Sequence, residues 1–130
     1  MRPARGYMSG NTAMALDYGD PRVNVRFVVY YGEQQDRVMS DYSVNMSFGG
    51  IFIESEKILP PDTTLLVEFK LPVNKKPIRC KSRVAWTNEP KDPKSSALPA
   101  GMGLQFIDLT LDDMHVVRSY IEEVGLRPAW

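Results

Sequence analysis

GMGLQFIDLTLDDMHVVRSYIEEV, residues 101–124, holds the change of period that decides the fold. As far as Leu109 the run reads as a strand that opens on Gly101 and Gly103. Beyond Thr110, apolar side chains recur at helical spacing: Leu111, Met114, Val117, Ile121 and Val124. Thr110 and Asp113 resemble a capping pair, with Asp where a capping box has Glu or Gln. Gly125 is a fitting stop. The spacing therefore predicts one helix over about residues 111–124, preceded by a strand.

Upstream of that point the period is two. In RVNVRFVVYY, Val23, Val25, Phe27 and Val29 alternate with Asn24, Arg26, Val28 and Tyr30, which marks a half-buried strand. After the turn GEQQD, the run RVMSDYSVNM sets Val38, Tyr42, Val44 and Met46 against Asp41, Ser43 and Asn45. Gly49-Gly50 breaks that run before the short strand IFIES. ILPPDTT carries two prolines and is a loop. Leu65, Val67, Phe69 and Leu71 share one face of the next strand. In IRCKSRVAWT, Ile78, Cys80, Val84 and Trp86 are expected to face in and Arg79, Lys81 and Arg83 out. NEPKDPKSSALPA is a long polar loop holding three prolines.

Six consecutive strands with short turns and one terminal helix define an all-β class. The expected architecture is a six-stranded antiparallel barrel over about residues 22–109, with the C-terminal α-helix on one mouth or flank. Residues 1–20 show neither period and read as a flexible tail, leaving 21–130 as the domain. No segment repeats and no βαβ alternation occurs, so Rossmann-like and P-loop folds are out.

Composition narrows the function. Sixteen basic and sixteen acidic side chains leave no overall field to draw DNA, RNA or an anionic membrane. No apolar run approaches the roughly 20 residues of a membrane span, and MRPARGYMSG lacks the hydrophobic stretch of a secretory signal. Cys80 is the one cysteine, which suits a reducing compartment and a core-filling thiol. A cytoplasmic protein is expected. His115 is the one histidine, with no Cys or His neighbour at metal spacing. G-x-S-x-G, a Cys/His pair and a Gly-rich loop before a helix are all absent from the sequence. The reading is therefore a binding protein, not an enzyme, with neither cofactor nor metal.

One run invites a binding role. NMSFGGIFI sets Asn45, Ser47 and Gly50 as N-x-S-x-x-G at the end of a strand. By itself this reads first as a plain β-turn built from favoured residues. In company with RVNVRFVVYY, RVAW and PAGMGLQFIDL, in that order, it resembles the PilZ domain family over roughly residues 21–124. That family carries RxxxR ahead of its first strand, then D/N-x-S-x-x-G, a V-x-W strand, a G-x-G-x-x-F strand and a helix. The chain is most similar to the subgroup with Asn where the commonest sequences have Asp.

The resemblance implies a receptor for cyclic di-GMP that passes a second-messenger signal to an effector protein, with motility or biofilm regulation as output. It implies a site at Arg22, Asn45, Ser47 and Gly50, with Arg26, Gly49 and Trp86 as secondary candidates. The chemistry suits the ligand: an Arg fork matches guanine or phosphate, Asn45 and Ser47 offer polar side chains, Gly50 permits close approach, and Trp86 offers a stacking face. Core filling is an equal reading for Trp86. Arg22 and Arg26 spell RxxxR, but the spacing to Asn45 fits Arg22 as the second arginine, which puts Tyr18 where the first should be. Residues near 17–21 are then expected to order around bound ligand. The alternative is a PilZ-like interaction module with weak or no nucleotide binding.

Overall fold

The computed structural model describes residues 22–34, 37–73 and 76–125. The expectations for the tail at 1–20, for Tyr18 and for ordering of residues 17–21 therefore lie outside the described residues, apart from Arg22 onward. The elements are β1 (Val23–Asn24), β2 (Val28–Gln34), β3 (Arg37–Met46), β4 (Gly50–Glu54), β5 (Thr64–Phe69), β6 (Ile78–Asn88), β7 (Gly101–Phe106) and α1 (Leu111–Gly125).

All pairings are antiparallel, in the order β1-β3-β2-β5-β6-β7-β4, and β3 also pairs with β4. That last pairing closes β2–β7 into a six-stranded barrel, and β1 is a short addition along the end of β3. Closure removes the open edges that a flat sheet would present. The interior is filled by alternate residues of each strand, including Val29, Tyr31, Ile51, Ile53, Leu65, Val67, Phe69, Ile78, Val84 and Leu104. Phe69 stacks between Phe27 and Phe106, with both ring centroids at 5.7 Å.

The first strand differs from the continuous one its alternation suggests. Ser43, fully buried, donates its hydroxyl to the Val25 carbonyl at 2.7 Å and accepts the Phe27 N–H at 3.0 Å. A side chain thus replaces a rung of the ladder, and the chain bends between β1 and β2. The first part of β3 shows the face opposite to the expected one. Val38 and Tyr42 point out, 56% and 46% exposed, while Ser43 and Met46 are buried three positions apart, across an irregularity in the β3–β4 register. Asp41 is turned toward the Tyr31 hydroxyl, which donates to it at 2.5 Å. Burial first, and this carboxylate second, push the Tyr31 phenol up to about 12.

The helix begins as read: the Asp113 N–H donates to Thr110 Oγ1 at 3.1 Å. Its buried stripe is shifted, however, to Val117, Tyr120 and Ile121, with Val116 and Val124 half-buried against the core. Leu111 and Met114 stand 68% and 49% exposed. The helix packs beside β1, and the residues it buries lie in its later turns, while the apolar residues of its first turn stay in solvent.

Cys80 is buried, as its place among strand residues suggested. Burial chiefly, with the charges of Asp108 and Asp113 and against a bond from Ser82, pushes its thiol up to about 11 from 9.0. The unfolded chain gives up this proton first. Its contribution to stability is therefore full below about pH 9 and lost as pH rises to about 11. Iodoacetamide at pH 8 should label native protein far more slowly than protein in urea, because the thiolate is the nucleophile. Equal rates in the two states would show that the thiol is neither buried nor shifted.

Candidate ligand-binding site

Cross-strand pairing fixes which residues share the outer wall. Asn24 lies opposite Asn45, Asn45 opposite Phe52, Phe52 opposite Gly103, and Gly103 opposite Trp86. Directly opposed residues project from the same face. Ile51 and Ile53 belong to the core, so Phe52 and its row lie on the other, outer side of the sheet, where Phe52 is nevertheless covered (1% exposed) and Trp86 half-buried. The row crosses β1, β3, β4, β7 and β6.

Arg22 sits at one end of this row. Its Nε donates to Asn45 Oδ1 at 2.9 Å and its Nη1 to Ser47 Oγ at 3.1 Å. Ser47 is fully buried, and its hydroxyl oxygen also accepts the Gly49 N–H at 3.3 Å. The Ser47 N–H in turn donates to the Gly50 carbonyl at 2.9 Å, and the Phe106 N–H donates to that of Gly49. One guanidinium, one amide and one hydroxyl thus converge on a turn whose conformation is pinned by backbone bonds. Phe48, within the same turn, lies under the Arg118 guanidinium of α1 at 4.4 Å from its ring centroid.

Arg26 is not brought to this cluster. It pairs with Glu54 at 2.7 Å and lies 4.3 Å from the centroid of the Tyr42 ring, out in solvent. The structure therefore joins Arg22, Asn45, Ser47 and Gly49 and separates Arg26, in keeping with the strand-register reading.

Two other residues are placed differently from the sequence reading. A Cβ on Gly50 would stand 2.3 Å from the Leu104 carbonyl oxygen, so this glycine is required by the approach of β4 to β7 whatever lies outside. Trp86 faces the outer wall, not the interior. A register irregularity between Val84 and Trp86 turns it outward, where it sits on Gly103 and packs on Phe52 at 5.1 Å between centroids. A Cβ on Gly103 would fall 2.1 Å from Trp86 Nε1, so only glycine leaves room for the indole.

Phe52 itself was missed from the sequence. The run IFI is apolar throughout and gives no alternation to reveal an outward aromatic. Its signal lay in Gly103 and Trp86, whose facing register makes room for a second ring beside the indole.

The far arc of the barrel, over β2, β5 and β6, holds an open groove of about 900 Å³ lined by Tyr30, Val38, Leu66 and Arg79 among others. None of the residues lining it belongs to the Arg22 cluster. Among the described residues no group of three or more His, Cys, Asp or Glu is placed to hold a metal ion. No helix there is long and apolar enough to cross a membrane.

Fold and site together define a small closed-barrel module that carries a polar cluster and an aromatic ledge on its outer wall. The family model described as PilZ domain matches residues 20–123, and the chain belongs to that family. Among solved structures, the Bacillus subtilis inhibitor of motility MotI/DgrA is similar at a TM-score of 0.66 and 19% identity, over 85% of this chain and 53% of that one. A Xanthomonas campestris protein described as a tetrameric PilZ domain assembled through a helical bundle is similar at 0.49 and 15%, over 72% and 48%. The chain spans about half the length of these two proteins. No curated protein sequence is similar enough to count as a relative.

Proposed function

We propose that this domain is a cyclic di-GMP receptor that acts without catalysis and relays the signal to a partner protein in the cytoplasm. The observation that carries the reading is the convergence of Arg22 on Asn45 Oδ1 and Ser47 Oγ, beside Gly49-Gly50 and next to the Phe52–Trp86 ledge. An arginine fork can bind a phosphate or the guanine edge, and the partly exposed Trp86 indole, backed by the buried Phe52 ring, can take a base. Family membership supplies the ligand class.

Arg22→Ala and Asn45→Ala are each expected to weaken cyclic di-GMP binding by about 1–3 kcal/mol, the scale of a bidentate or charge-assisted contact. Arg26→Ala should matter less, since it removes an exposed ion pair worth about 1 kcal/mol or less. Amide chemical shifts of Gly49 and Gly50 during nucleotide titration check both statements. An Arg26→Ala effect larger than that of Arg22→Ala would mean that the register is wrong. The engagement of Arg22 itself, whose Nε and Nη1 already donate to Asn45 and Ser47, favours the second reading, an interaction module with little nucleotide binding. Unmoved Gly49 and Gly50 shifts at saturating nucleotide would select it.

A further inference from the structure

Resting on the nucleotide reading, we infer that Arg83 and Gln105 form a second arm of the same site, gripping the ligand from across the Gly49-Gly50 turn. Gly50 lies opposite Gln105 and Gln105 opposite Arg83, so all three occupy the outer wall one row below Phe52 and Trp86. Gly50, itself buried against β7, has no side chain, so only backbone separates the Arg22–Ser47 cluster from Gln105. Two strand spacings of about 4.8 Å set the Gly50 and Arg83 backbones about 10 Å apart. A cyclic dinucleotide carries two phosphates in one ring, and Arg22 can bind only one of them closely. Arg83 is the cation the barrel register places on the other side of the bare step.

The Arg83 guanidinium is oriented but releasable. Its Nη2 donates to Gln105 Oε1 at 2.8 Å and its Nη1 pairs with Asp62 at 2.6 Å. The Asp62 side chain is 80% exposed and that of Arg83 35%, so the ion pair is one that solvent weakens and a phosphate can displace. Asp62 does not depend on Arg83 for its position. Its backbone lies at φ 73°, and its N–H donates to the Val84 carbonyl at 2.7 Å. The turn can therefore stay while the guanidinium swings to a ligand. Asn tolerates that left-handed conformation as well as Asp does, which makes Asp62→Asn a clean removal of charge.

Calorimetric titration with cyclic di-GMP tests this in four variants of the full chain, each verified as folded by circular dichroism. Arg83→Ala should weaken binding about 10- to 100-fold, the range of a hydrogen bond to a charged group, and Arg83→Lys should recover part of it. Asp62→Asn should tighten binding about two- to fivefold by freeing Arg83 from an exposed pair. Arg79→Ala, on the same strand but paired with Glu68, should leave binding unchanged. Wild-type binding that Arg83→Ala leaves intact would overturn the second arm alone. Absence of binding by the wild type would overturn the nucleotide reading and this inference with it.

Discussion

Phe69→Ala is expected to destabilise the domain by about 3–5 kcal/mol, the cost of emptying a buried aromatic site. Phe69 is 1% exposed and is the middle ring of the Phe27–Phe69–Phe106 stack. It also stands where β5 meets both neighbours, opposite Val29 on β2 and Ile78 on β6. Those strands are held in register by the closed ladder, so they can collapse only slightly into the vacancy, and the cavity term adds to the lost transfer energy. The flanking rings would lose their partner as well. Urea unfolding monitored by circular dichroism measures the change. A loss below about 1 kcal/mol, typical of a surface or loosely packed position, would place Phe69 outside the core.

Asn88→Ala is expected to cost about 2–3 kcal/mol and to loosen the loop that follows β6. Asn88 is 2% exposed, and its amide serves five backbone groups. Nδ2 donates to the carbonyls of Ser95, Leu98 and Pro99 at 3.0–3.1 Å, and Oδ1 accepts the Lys94 and Ser95 N–H groups at 2.8 and 2.9 Å. Most of the loop is exposed, so several of these groups can turn to water after truncation. That recovery keeps the cost below the full sum of the five bonds. Limited proteolysis should show faster cleavage within residues 89–99 in the variant, with native β-sheet retained. Unchanged cleavage would mean that the prolines, not Asn88, hold the loop.

The sequence made the period-two strands, the six-stranded closure and the single terminal helix legible, because each rests on local alternation that the barrel obeys. Arg22, Asn45 and Ser47 were named together only through the family resemblance, and the pairing of β1 with the end of β3 is what brings their side chains within hydrogen-bond reach. What escaped were the places where one side chain overrides the period. Ser43 stands in for a ladder rung at Val25–Phe27, and the β3–β4 irregularity just after it sets Val38 and Tyr42 on the face opposite to that of Met46. The irregularity before Trp86 likewise moves a ring expected in the core to the outer wall. Neither event changes composition, so hydrophobic alternation cannot report it. The helix stripe was misplaced for another reason. Leu111 and Met114 fit the helical period, but the residues the helix buries, Val117, Tyr120 and Ile121, all lie in its later turns.

One titration tests the Arg22 site most directly: cyclic di-GMP into wild-type protein and into Arg22→Ala under the same salt, followed by calorimetry. The prediction is saturable heat with the wild type and binding weakened by about 1–3 kcal/mol in the variant. No heat with the wild type, or identical isotherms for the two proteins, would contradict a nucleotide site built on Arg22, Asn45 and Ser47.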